Sequence, residues 1–442
     1  MINVKRPVFA FFMVLSVANG IVFFGANSLV SYFVGELIIF VFCYDLLKIK
    51  YRFHIYQVLL FYFYYTLCIT HSFSGLHNDH RLYLSSYFVN LLHFIFFVLG
   101  YCYFKYRPVG KVVKNKQNKI IFMYMMYLLI AGVWSLSLTN TGRNYSSRFT
   151  ISPEEVRIGL NIIHYISSNV LGYIEAIFMF INSNPMFYAM FNIVKGFISY
   201  VNSGVKAALL GPLLIIFMIF QIYYKTISVK SLFFLFPISL LILTFLIATT
   251  VFRNNLSLES LLSIDLLRMN DFLFYFLRSP ESSHIIYTAN VMGMIESGHT
   301  DFRYGFDYFR FILYPFKGIF ENFEYASFIQ YPSLLAGKAV NQGKYLGLAG
   351  ELYWNFGYLF FIFSFAFGLA LKWFTNLAFS NTTYGIVSYL LLFKTLLWIL
   401  YRGIGNELTI MTSIFILALL IFVLLRHLIN RFPLLGRLFS KW

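Results

Sequence analysis

The chain has 442 residues, of which 60% are hydrophobic and only 12% charged, and its formal net charge is +17. Soluble domains carry roughly a quarter charged residues, so the composition excludes a globular domain with a single anchor and points to an all-α polytopic membrane protein. In such a chain the excess of Lys and Arg is a topological signal rather than a nucleic-acid footprint, because cytoplasmic loops collect these residues.

A membrane span needs about 20 apolar residues, and the chain holds about twelve such runs. Span 1 covers Pro7–Phe24 and span 2 Leu29–Leu47, followed by KIKYR at 48–52. MINVKRP lacks a downstream small-residue cleavage site, so span 1 reads as retained. Span 3 covers His54–Phe73 and span 4 Leu82–Phe104, which leads into the basic loop 105–119. Spans 5 to 9 are expected at Ile120–Leu138, Ile158–Ile181, Met186–Tyr200, Ala207–Tyr224 and Leu232–Phe252. The first nine spans make up 1–252, and a long interruption at 253–344 follows. Spans 10 to 12 fall at Tyr353–Phe374, Tyr384–Tyr401 and Leu408–Leu425, within 345–425, and 426–442 is a basic tail.

With the N-terminus placed inside, KIKYR, the 105–119 loop, KTISVK at 225–230 and the tail all fall inside, as the positive-inside rule requires. Arginine departs from that rule. Arg81, Arg143, Arg148, Arg157, Arg253, Arg268, Arg278, Arg303, Arg310 and Arg402 all fall on the outer side. Orientation does not need them there.

The interruption at 253–344 is the only long outer loop, with eight Lys or Arg and nine Asp or Glu. Helical spacing is expected at Leu256–Leu277, Ile285–Ile295 and Phe306–Leu313, the last amphipathic and aromatic. The loop reads as the lid and chemical face of an enzyme acting on a phosphate-bearing lipid. Guanidiniums grip phosphate oxygens in a two-point fork and keep their charge. A lipid diphosphate at the outer leaflet would be both bound and stabilised as a leaving group. The plainer alternative pairs each arginine with a loop carboxylate.

Glu36, Glu175, Lys195, Lys206 and Lys394 lie in or at the ends of spans, where ionisable groups are paired or functional. Glu351 is the leading proton acceptor, since partial burial where the loop enters span 10 suits that role. As a helix-start carboxylate it would equally serve the helix dipole. His284, after a Pro-containing turn, is the reserve. Cys43, Cys68 and Cys102 have no metal-like spacing, no Cys/His cluster suggests zinc, and no Gly-rich nucleotide loop is present. No metal and no cofactor are expected. The 55 Phe and 34 Tyr read as lipid-facing bulk and interfacial belts.

Over residues 200–410 the chain resembles the Wzy-type O-antigen polymerases. The resemblance rests on SGVKAALLGPLL, then FRYGFDYFRFILYPFKG in the outer loop, then GELYWNFGYLFFIFSFAFGL, then YRGIGNE. It implies a GT-C-like bundle in the bacterial inner membrane, with a periplasmic active site and cytoplasmic termini. The implied reaction transfers a growing glycan from undecaprenyl diphosphate to a sugar hydroxyl of a new lipid-linked repeat unit, without metal. Expected partners are undecaprenyl-diphosphate-linked oligosaccharides, the bilayer and a chain-length regulator, with no nucleic acid. Arg253, Arg278, Arg303, Arg310 and Arg402 are expected to contact diphosphate and glycan, supported by Lys206 and Lys317. Lys206 stands where the family often has arginine, so it keeps charge but lacks the fork. A lipid-linked oligosaccharide flippase and an O-antigen ligase are the alternatives.

Overall fold

The structure is a computed structural model that describes residues 5–24, 28–48, 55–69, 71, 80–105, 284–313, 346–379, 396, 399–400, 403–404 and 408. Every element among them is helical. In an apolar medium an unpaired backbone group costs several kcal/mol, and a helix pairs them within one segment. Helix α1 spans Lys5–Asn19 and ends in a π turn at Gly20–Phe24; α2 spans Leu29–Lys48. Helix α3 spans Ile55–Tyr64 with a second π turn at Tyr65–Ile69, and α4 spans His80–Tyr103. Then come α5 (His284–Glu296), α6 (Phe306–Leu313), α7 (Gly347–Phe356), a 3-10 turn at Gly357–Leu359, and α8 (Phe360–Phe379).

The first four helices alternate in direction. Ser16 bonds Glu36 and Phe11 meets Phe42, which runs α1 against α2. Gln57 donates to Asp45 and Ser31 to the Cys68 carbonyl, which runs α2 against α3. Tyr56 stacks on Tyr101 and Phe63 meets Phe94, which runs α3 against α4. One end of the bundle is therefore marked by His80 and the other by Lys48. These four helices fall within about one turn of the expected spans.

Helix α8 packs along α4 in the same direction. The His93 ring lies 2.7 Å from Ser364 Oγ near one end, and Asn376 Nδ2 donates to the Lys105 carbonyl at the other. Between them two glycines set the approach. A Cβ on Gly100 would overlap the Phe365 carbonyl, and one on Gly368 would overlap the Phe97 carbonyl. Apolar helices in lipid associate through such small-residue contacts, since lipid tails are as apolar as the side chains.

Among the described residues three helical stretches are long and apolar enough to cross a membrane: Leu29–Lys48, His80–Tyr103 and Gly347–Leu377. Phe33, Phe40, Phe88, Leu99 and Ile362 on these stretches point outward and are exposed.

The third stretch is broken, contrary to the expectation of one span from Tyr353. Gly357 takes φ 55° and ψ −134°, a backbone conformation that L side chains rarely adopt. The chain turns there, and Phe356 stacks on Phe363 with ring centroids 3.6 Å apart. Tyr353 thus belongs to α7, and the long span begins at Phe360.

The other helices gather at the His80 end. Ser86 Oγ donates to the Ile285 carbonyl and Arg81 pairs with Glu296, so α5 runs against α4. Helix α7 lies along α5 in the same direction, with Thr288 against Gly350 and His284 against Gly347. Tyr287, Val291, Leu346 and Trp354 close the apolar side of this pair. Helix α6 begins beside the last turn of α7, where Tyr308 meets Phe356 at 5.8 Å between centroids.

The loop helices expected at Ile285–Ile295 and Phe306–Leu313 correspond to α5 and α6. Spans 5 to 9, the helix expected at Leu256–Leu277, most of spans 11 and 12, and the tail lie outside the described residues.

Candidate functional site at the His80 end

Glu351 sits in the second turn of α7 and is 1% exposed. Such depth exceeds the partial burial expected of it. Its Oε1 accepts the Ile404 N–H at 2.9 Å. Gly403 presses against the same carboxylate, where a Cβ would overlap Oε2, and it takes φ 93°. Only glycine supports both the conformation and the approach. The carboxylate is held by backbone from a segment 52 and 53 residues further on, in the stretch whose sequence reads YRGIGNE.

His284 opens α5 and is 2% exposed. Its ring packs on the Gly347 backbone, so close that a Cβ there would lie 3.1 Å from Cγ. The Tyr62 ring lies 6.2 Å away between centroids, and the Tyr62 hydroxyl donates to the Leu400 carbonyl at 3.1 Å. Gly347 and Glu351 are four residues apart on α7, hence on one face. That face meets the imidazole at one turn and the 403–404 backbone at the next, about 5.4 Å along the axis.

Tyr308 completes the group from α6. Its hydroxyl is buried and meets no partner at hydrogen-bond geometry, yet the Glu351 carboxylate is close enough to act on it. Burial first, and then that carboxylate, push the Tyr308 phenol well above its ordinary range. Tyr308 therefore stays a neutral proton donor beside a buried acid.

Arg303 lies beside the last turns of α7. Its N–H donates to the Trp354 carbonyl at 3.0 Å. Its guanidinium lies 5.3 Å from the Trp354 ring centroid, and its Nε is 3.9 Å from the buried Asp307 carboxylate. Arg81, another outer arginine, pairs with Glu296. Both therefore face a neighbouring carboxylate, the plainer of the two arrangements. The next residue, Tyr304, has φ 50°, a conformation uncommon outside glycine, asparagine and aspartate and concentrated at functional sites.

The structure thus brings Glu351, His284 and Arg303 to one end of the bundle. Arg310 falls on α6 as its fifth residue. Arg253, Arg278, Arg402, Lys206 and Lys317 lie outside the described residues. Tyr308 and Asp307 were not singled out from sequence. Tyr308 is one of 34 tyrosines, and nothing local distinguishes it. Asp307 does carry a signal, being the i+4 carboxylate of Arg303. Among the described residues no group of His, Cys, Asp and Glu has the makings of a metal site.

The chain matches no family model, no curated protein and no solved structure. What the described residues define is an all-helical chain with three stretches able to cross a membrane and a buried acid–imidazole–phenol group at one end.

Proposed function

We propose that the protein is a membrane-embedded glycosyltransferase of the Wzy repeat-unit polymerase kind, with about twelve spans in a bacterial inner membrane and its chemistry at the His80 end, on the periplasmic side. The observation that carries this reading is Glu351, a carboxylate buried beneath the outer segment and fixed by the Ile404 N–H. A solely structural acid in so apolar a chain is expensive.

The reaction requires one proton acceptor and one grip on a leaving diphosphate. The anomeric carbon of the growing glycan loses its bond to the undecaprenyl diphosphate oxygen and gains one to the acceptor hydroxyl. The hydroxyl proton passes to the Glu351 carboxylate, and the bonding pair leaves with the diphosphate. Guanidiniums, Arg303 among them, offset that charge. The Ile404 N–H and the Gly403 backbone hold Glu351 in register.

The test is Glu351→Gln in cells that display the polymer. Glutamine keeps an oxygen for the Ile404 N–H but cannot take the proton. The gel ladder is expected to collapse to a single repeat unit, since general base catalysis contributes roughly 10²–10⁴-fold. A full ladder from correctly inserted Glu351→Gln protein would overturn the role of Glu351. A wild-type protein that gives one transferred band and never a ladder would be a ligase.

A further inference from the structure

A second polar site lies at the opposite end. A cavity of about 260 Å³ is lined by Asp45 and Lys48 of α2, Tyr56 of α3, Tyr101 of α4, Lys105 just beyond it, and Lys372 of α8. Lys372 is 2% exposed although it sits within an apolar helix. Its ammonium lies 4.4 Å above the Tyr101 ring, which stacks on Tyr56 at 3.6 Å and 7°. Lys48 lies over Tyr44 at 4.5 Å. The aromatic pair thus forms a floor, and the lysines come from α2, α8 and the residues just beyond α4.

The charges decide what such a site takes. Three lysines and a single carboxylate, Asp45, line the cavity. The surplus is positive and bears on a cavity partly withdrawn from water, where charge acts more strongly than on an open surface. The volume falls below the roughly 300 Å³ at which pockets for whole small molecules begin. It suits a single anionic group. Capping of helix C-termini by cations accounts for Lys48, in the last turn of α2, but not for Lys372, well inside α8.

We propose that this cavity binds a phosphate group presented at the Lys48 face of the membrane, as the headgroup of an anionic phospholipid or as free phosphate. The site needs only that α2, α4 and α8 span a bilayer. It does not depend on the polymerase reading, and a binding assay leaves the glycan chemistry untouched.

The test uses full-length protein in a mild uncharged detergent and follows its thermal unfolding. Phosphatidylglycerol, phosphatidylcholine and inorganic phosphate are added in separate arms. Phosphatidylglycerol is expected to raise the midpoint by several degrees in wild type, and zwitterionic phosphatidylcholine is not. Inorganic phosphate giving the same rise would identify the free anion as the ligand. The rise is expected to vanish in Lys372→Met and to shrink in Lys105→Gln. Lys105 is exposed, so the second variant keeps the test open should the first fail to fold. No rise from any anion, or an equal rise in wild type and Lys105→Gln, would overturn the proposal.

Discussion

Glu351 and Gly403 are one device seen from two sides. The carboxylate reaches the Ile404 N–H only because residue 403 has no side chain and takes φ 93°. Gly403→Ala therefore meets two penalties. The left-handed backbone alone costs about 1–2 kcal/mol for an L side chain, and the new methyl displaces the carboxylate. The expected outcome is a folded but less stable protein with a much shorter ladder, measured by detergent thermal melts beside the gel. An unchanged melt and ladder would mean that Glu351 is not held as described.

Arg303 raises a different question, because it has Asp307 beside it at 3.9 Å. The carboxylate is buried and only a quarter of the arginine side chain is exposed, so the pair alone does not tell a structural role from a substrate-binding one. Three substitutions separate the readings. If the fork matters, Arg303→Lys shortens the ladder nearly as much as Arg303→Ala, while Asp307→Asn does less. If only the pair matters, Asp307→Asn and Arg303→Ala are alike and Arg303→Lys is mild.

Sequence reasoning reached Glu351 and His284 through residue type and position at the edge of apolar runs. It could not reach their mutual placement, since Gly347 and Gly403 bring distant segments together through backbone approach. Lys372 was legible in principle as a lysine inside an apolar run, the same signal that drew attention to Lys394. It lies only two residues before the expected end of span 10 at Phe374, where a lysine reads as a snorkelling cation.

At the scale of elements, hydropathy located the helices but not their contacts. Helices α1 to α4 were legible because each coincides with an apolar run, although only α2 and α4 of the four are long enough to cross a membrane. The break at Gly357 was not, because the run Gly347–Leu377 has a mean hydropathy high enough for a membrane span, and the apolar pattern carries straight through the turn. The contact between α4 and α8 was also invisible, although it depends on two glycines. A glycine in an apolar run is common, and only the partner helix shows which ones are needed.

Those glycines give a direct comparison. At Gly368 a side chain would run into the Phe97 carbonyl, whereas a Cβ on Gly20 would meet only the Tyr32 ring at an ordinary 3.8 Å. Gly368→Leu is expected to part α4 from α8 and to break the 2.7 Å contact of His93 with Ser364. The change costs at least about 1–3 kcal/mol, the scale of overpacking a well-filled interior. Gly20→Ala should stay within about 0.5 kcal/mol of wild type, as innocuous substitutions do. The readout is the detergent melting temperature of each variant. Equal melting temperatures for both would show that α4 and α8 do not meet at their glycines.

For the whole molecule, the consequence of these contacts is a polarity between two ends. Glu351, His284, Tyr308 and Arg303 gather at the His80 end, and Lys48, Lys105 and Lys372 at the other. The basic segments KIKYR and 105–119 follow directly from the Lys48 end, so under the proposed reading the positive-inside rule assigns that end to the cytoplasm. The proposed proton-accepting site would then lie on the far side of the bilayer from the lysine cavity. Cysteine labelling of intact spheroplasts checks this. Cys43 and Cys68 are buried and Cys102 is exposed, so Cys102→Ser gives a quiet background. In that background Ser297→Cys, in the exposed turn after α5, is expected to react with a membrane-impermeant maleimide from outside. Lys48→Cys should react only after the membrane is opened. Labelling of Lys48→Cys but not Ser297→Cys in intact cells would invert the molecule and set Glu351 on the cytoplasmic side, where an undecaprenyl-linked glycan at the outer leaflet is out of reach. Labelling of both from outside would place the two ends on one side and remove the spanning arrangement of α2 and α4 altogether.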